Sequence, residues 1–156
     1  DAALAATEQQ VKHRISQLEN STGSESPARI RTELKETMMA SAGIFREGKK
    51  MRAGLEKART LKERGRHIRL LSKAKKFNLD LVRSLELAGM LELGEVILAG
   101  ALAREESRGS HYRTDFETRN DEQWLKHTLA RWTADGPKLE YKPVNLGKFK
   151  PEARVY

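Results

Sequence analysis

No cysteine occurs anywhere in the 156 residues. That absence excludes disulfides, thiolate catalysis, cysteine-ligated zinc and any iron–sulfur cluster held by this chain. It also removes the usual sign of an oxidising compartment. Long apolar runs are missing too. The longest stretch free of charged residues is nine, Thr37 to Phe45, whereas a bilayer crossing needs roughly twenty apolar residues, so no direct membrane insertion is expected. Nothing at the start resembles a secretory signal, and the chain opens at Asp1 inside an Ala-rich helical pattern. We therefore expect a piece of a longer protein. The standard chemical motifs are absent: no Gly-rich phosphate loop, no dinucleotide fingerprint, no His-Glu-x-x-His. His13, His67, His111 and His127 are too scattered to make a metal site. No residue is assigned a catalytic, cofactor-binding or metal-binding role.

What is present suits one globular domain: 38% hydrophobic and 33% charged residues, in a chain long enough to bury about two-thirds of its unfolded surface. The net charge of +8 from 30 basic and 22 acidic residues is unevenly placed. Arg46 to Lys76 holds thirteen Lys or Arg against three Glu, a net of +10, so the remaining 125 residues sum to −2. Any electrostatic reading concerns that segment alone.

Leu4, Val11, Ile15 and Leu18 predict an amphipathic helix over Asp1 to Glu19, ended by the polar run Asn20 to Ser24. Ser26-Pro27 restarts a helix, serine capping free amides and proline taking the first turn. Ile30, Leu34 and Met38 stripe it, and Gly43 ends or bends it. Gly48 opens a long basic helix to about Leu71, with Met51, Leu55, Ala58, Leu61 and Ile68 as its inward face. After a connector to Asn78, Leu79 to Ala103 has sixteen apolar residues in 25 and reads as the core of a bundle. Its glycines, Gly89, Gly94 and Gly100, fit close helix–helix approach. Residues 104–120 lack an apolar stripe and read as a loop, and Asp121 is a candidate cap for a single turn to Leu125. Lys126 to Trp132 and Lys138 to Val144 flank Asp135-Gly136 as a hairpin. The expected fold is mainly α: an antiparallel, spectrin-like three-helix bundle over 26–103, a short helix and linker over 1–25, and an arginine-rich loop, β-hairpin and extended, docked tail over 104–156.

Two features invite a functional reading. The basic helix has the charge for nucleic acid or an acidic partner, but no aromatic interleaves Lys49 to Lys76, so base stacking lacks its platform. A solvated helix face is the simpler account. The segment Arg104 to Asp115 packs three arginines, a histidine, a tyrosine and three acids around Gly109. Such a loop offers several bidentate donors at once. The alternative is a self-satisfied salt-bridge loop locking the bundle to the hairpin, and the residues alone leave both open.

Glu106-Ser107-Arg108-Gly109-Ser110-His111-Tyr112-Arg113-Thr114-Asp115, then Arg119-Asn120-Asp121 and Trp124-Leu125-Lys126-His127-Thr128-Leu129, resembles the C-terminal domain of succinate dehydrogenase and fumarate reductase flavoproteins. Arg31-Thr32-Glu33-Leu34, Gly43-Ile44-Phe45-Arg46, Phe77-Asn78-Leu79-Asp80-Leu81, Leu139-Glu140-Tyr141 and Pro151 to Tyr156 extend the likeness in collinear order. The resemblance implies the helical domain of an oxidoreductase subunit that interconverts succinate and fumarate on FAD and passes electrons to an iron–sulfur subunit. The catalytic and FAD-binding motifs of that family lie outside this segment, so this chain alone is expected to be inactive and to hold no cofactor. Its partners would be the flavin-binding domain and the iron–sulfur subunit, with no specific nucleic acid. It would be cytoplasmic, or membrane-associated through other subunits. Arg108, His111, Arg113 and Arg154 are the expected docking residues toward the flavin domain. Two alternatives remain open: the similar helical domain of L-aspartate oxidases, and a free-standing basic module binding nucleic acid or an acidic protein.

Overall fold

The structure, a computed structural model, describes residues 2–149 together with 151 and 152. Helix α1 (Ala2–Glu19) leads into α2 (Pro27–Ala42), where Ser26 Oγ accepts from the Arg29 N–H and Pro27 sits buried in the first turn. The expected restart is thus realised by cap chemistry. A two-residue strand, β1 (Phe45–Arg46), precedes the basic helix α3 (Gly48–Arg64), and the long apolar helix is α4 (Leu79–Ala103). Helices α2, α3 and α4 each pack on the other two and make the three-helix bundle. Ile30, Leu34, Leu61, Ile68, Leu87 and Leu91 form one buried cluster, and Leu55, Ala58 and Leu98 a second, with Met38 lying against both. Each fully buried Leu or Ile contributes about 1.5–3 kcal/mol of transfer free energy.

Helix α1 packs on α4 but buries no residue outright; Leu4 and Val11 of its stripe stay exposed. The basic helix ends seven residues before the expected Leu71. Gly65–His67 tightens into a 3-10 turn, and Ile68 reaches the core from an extended segment instead. That segment pairs with the linker: the Glu25 N–H donates to the His67 carbonyl at 3.1 Å and the Arg69 N–H to the Glu25 carbonyl at 2.9 Å. Backbone groups that a longer helix would use internally are satisfied across the fold instead. The glycines of α4 also divide. Gly94 meets Leu34 Cδ1, whereas a Cβ at Gly89 or Gly100 would meet nothing within 4 Å, so only Gly94 serves close approach.

The segment after α4 is less of a loop than expected. Strand β2 (Tyr112–Arg113) pairs in parallel with β1, Phe45 opposite Tyr112 and Arg46 opposite Arg113. Helix α5 (Asp121–Trp124) follows, capped by Asn120, whose Oδ1 accepts from the Gln123 N–H at 3.0 Å; Asp121 is inside the helix and is not the cap. Strands β3 (Lys126–Arg131) and β4 (Lys138–Pro143) form the antiparallel hairpin as expected. In the tail, the Glu152 carbonyl accepts from Arg119 at 2.7 Å.

Candidate functional site: the arginine-rich loop

At the end of α4 the chain must satisfy carbonyls that have no partner within the helix. Arg113 does this. Its Nη1 points at the carbonyls of Ala101, Leu102 and Arg104, at 3.3, 3.1 and 3.0 Å. Its Nε and Nη2 grip the Asp115 carboxylate at 2.7 and 2.8 Å, and the ring of Phe116 lies beneath the guanidinium. A cation at a helix C-terminus is favourable for the same reason that an acid is at an N-terminus. Asp115 supplies that second half: its Oδ2 accepts from the Gly48 N–H at the start of α3. One ion pair therefore joins the end of one bundle helix to the beginning of another.

Glu106, fully buried, organises the other side. It accepts from Arg104 at 2.5 Å, from Arg108 through both oxygens at 2.8 and 3.0 Å, and from the Asn120 N–H at 2.8 Å. Arg108 goes on to Asp121 at 2.6 Å. Arg104 reaches the carbonyls of Trp124 and Lys126 and lies over the Trp124 ring, so it fastens the bundle to α5 and β3. His111 bridges Arg46 Nη1, 2.8 Å from its Nδ1, and the Arg104 carbonyl, 3.1 Å from its Nε2. Arginine only donates and a carbonyl only accepts, so Nδ1 must accept and Nε2 must carry the proton. That is the neutral imidazole: burial first, then the charges of Arg46, Arg113 and Arg104, push its pKa down against the opposing pull of the bond to the Arg104 carbonyl. Gly109 closes the turn between Arg108 and His111 at φ +58°, where only glycine is unstrained.

Of the expected docking residues, Arg113 does not face outward. It is 2% exposed, with its guanidinium committed inside the chain. Arg108 and His111 are partly exposed and, with Arg104, Trp124, Lys126 and Val144, border an open depression of about 530 Å³. Arg154 lies outside the described residues. Sequence reasoning missed Arg46, which joins the cluster from 65 residues upstream of His111 and has no spacing signal. It also missed how far the basic helix is internally paired. Arg64 forks between Glu25 and Glu33, Lys57 pairs with Glu33, Arg59 with Glu95, and Lys62 with Glu92 and Glu95. Its face is laced to α2 and α4 rather than simply solvated.

These pairs set an acid limit. The hydrogen bond from Arg64, then that from Lys57, hold Glu33 down at about 2; Arg64 likewise lowers Glu25, and Arg113 lowers Asp115. Burial pushes Glu106 up, but its bonds from Arg108, Asn120 and Arg104 together outweigh this and leave it low; Glu95 behaves alike through Lys62 and Arg59. A carboxyl depressed in the folded state contributes stability above its unfolded pKa, near 4.5 for Glu and 3.8 for Asp, and that contribution is lost as pH falls toward the folded value. His111, depressed from 6.5, acts in the same direction somewhat higher. The urea midpoint is therefore expected to drop modestly below pH 6.5 and steeply from about 5 toward 2. A midpoint unchanged at pH 3 would count against these pairs.

No group of three His, Asp or Glu among the described residues is placed to hold a metal, and no described helix is long and apolar enough to cross a membrane. The family "Fumarate reductase flavoprotein C-term" matches residues 31–156. The fumarate reductase flavoprotein subunit of Haemophilus influenzae is 37% identical over 156 residues, covering 99% of this chain and 26% of that protein. The succinate dehydrogenase flavoprotein subunit of Coxiella burnetii is 35% identical, covering 99% of this chain and 25% of that protein. Among solved structures, an E. coli quinol fumarate reductase superimposes with a TM-score of 0.94 at 37% identity, over 100% of this chain and 27% of that one. The chain spans about a quarter of the length of the relatives it matches. With the bundle, hairpin and loop arranged as in those proteins, this chain belongs to the fumarate reductase flavoprotein C-terminal domain family.

Proposed function

We propose that this chain is the helical buttress of a flavin-dependent succinate dehydrogenase or fumarate reductase subunit. It shapes and supports a flavin-binding domain and contributes no group to the chemistry. The observation that carries the reading is the match over the whole of this chain to one quarter of an E. coli quinol fumarate reductase chain. In such a subunit FAD interconverts succinate and fumarate and an iron–sulfur subunit takes the electrons. The residues of this chain do not fit FAD. A dinucleotide is cradled by a Gly-rich turn between a parallel strand and a helix. The one parallel strand pair among the described residues is the two-residue contact of β1 with β2, and its two arginines are already committed, Arg46 to Gly43 and His111 and Arg113 to Asp115 and the end of α4.

The depression beside Arg108 and His111 is the docking face toward the flavin domain, and Arg113 holds that face in shape from behind. The internal pairing of the basic helix argues against nucleic acid as its purpose. The test joins this chain to the family's remaining three quarters: a Haemophilus influenzae subunit whose matched quarter is replaced by this chain should retain FAD and reduce fumarate. The free chain mixed with micromolar FAD should leave the flavin fluorescence unquenched. A chimera that folds but loses its flavin, or a free chain that binds it, would overturn the proposal.

A further inference from the structure

Between the 3-10 turn and α4 lies the most exposed aromatic among the described residues. Phe77 is 99% exposed, flanked by Leu71 at 79% and Leu79 at 62%. It is also the one non-glycine residue with positive φ among the described residues, at +53°. A bulky side chain held in the left-handed region is strained, and the ring, almost wholly exposed, makes no contact with the described residues that repays it.

The loop beneath is well tied. Asn78 Oδ1 caps α4 through the Leu81 N–H at 3.0 Å, and its Nδ2 donates to the Ser72 carbonyl at 3.1 Å. Asp80 Oδ2 accepts from the N–H groups of Leu71 and Ser72, at 2.6 and 3.2 Å. The Leu79 N–H closes back on the Phe77 carbonyl at 3.0 Å. The ring thus stands out from a fixed base, the arrangement that lowers the ordering cost of binding. In the same connecting segment, Arg69, Lys73, Lys75 and Lys76 are exposed and have no ion-pair partner among the described residues, while the basic residues of α3 are largely paired. No acid lies between Arg69 and Asn78.

We propose that Phe77 is an anchor by which this domain seats on the flavin-binding part of its subunit, its ring entering an apolar socket rimmed by carboxylates. This rests on the buttress reading above. Two observations choose that occupant. The relatives are about four times longer than this chain, so most of such a subunit lies outside the structure. Four unpaired cations in one short segment with an exposed aromatic call for an acidic apolar surface.

The test uses the same chimera, with Phe77→Gly and with the pair Lys75→Glu and Lys76→Glu. If the unsubstituted chimera holds FAD, Phe77→Gly is expected to speed flavin loss at least tenfold. The charge reversals should speed it several-fold at low salt and less at high salt. The free 156-residue chain with Phe77→Gly should melt no lower than the unsubstituted chain, and up to about 4 °C higher, because the substitution relieves strain and removes no contact. Equal flavin retention with and without the ring overturns the anchor and leaves the buttress reading standing. An unsubstituted chimera without flavin overturns both. A melting temperature several degrees lower means that the ring packs within this chain. Binding of the free chain to phosphatidylserine vesicles, lost with Phe77→Gly, assigns the loop to a lipid surface instead; either result overturns the anchor.

Discussion

Arg113→Ala is expected to lower the melting temperature of this chain by about 10 °C, from a loss of about 3–5 kcal/mol. The guanidinium is 2% exposed, and its removal strands Asp115 together with three carbonyls at the end of α4. Burying polar groups without partners is what makes such truncations costly. It also frees the Gly48 N–H from a correctly placed Asp115, so the start of α3 loosens with the end of α4. Arg113→Lys should recover little, because an ammonium cannot grip a carboxylate with two parallel bonds while also facing carbonyls on its far side. Thermal melts of the free chain, with hydrogen exchange at Gly48, check this. A shift under 2 °C would return Arg113 to the outward, docking role that its sequence setting first implied.

Glu106→Ala is expected to cost a comparable amount, about 3–5 kcal/mol, read from the urea midpoint. The carboxylate is fully buried and holds Arg104, Arg108 and the Asn120 N–H at once. Its loss leaves two guanidinium groups facing one another across an empty site, one of them the residue that fastens the bundle to β3. Adding Arg108→Ala should cost less than the sum of the two single changes, because the second substitution removes a charge that the first left uncompensated. Glu106→Gln retains the shape but turns an amide NH2 toward arginine donors, so it should recover less than half of the loss. Strict additivity of the pair would show that Glu106 and Arg108 do not act together.

Both predictions concern a loop whose composition was plain in the sequence and whose wiring was not. Ser26-Pro27 and the sixteen apolar residues of Leu79–Ala103 announce their helices, because caps and apolar periodicity act within a few residues; Asn78, read as the last residue of a connector, proves to be the cap of α4. Asp135-Gly136 between two short runs announces the hairpin for the same reason. The early end of α3 was hidden. Arg66, His67 and Ile68 continue a helical pattern well enough, and it is the linker, through Glu25 and the Ser21 hydroxyl, that offers the backbone of residues 67–69 other partners. Asn120 rather than Asp121 became the cap because the Asn120 N–H is already held by Glu106, which fixes where the turn begins.

By itself the sequence determined the helices, the hairpin, the position of the basic excess and the family, since each is written in neighbouring residues or in collinear motifs. Only the tertiary structure decided what the charges do. Arg46 meets His111 across 65 positions and Arg59 meets Glu95 across 36. A guanidinium on a long flexible stem takes whichever acceptors the packing of apolar faces brings within 3 Å. Hydrophobic packing is set by pattern and can be read along the chain. The pairing of charges between elements is a consequence of that packing, and, unlike the local pairs Glu8–Lys12 and Arg29–Glu33, it has no spacing of its own.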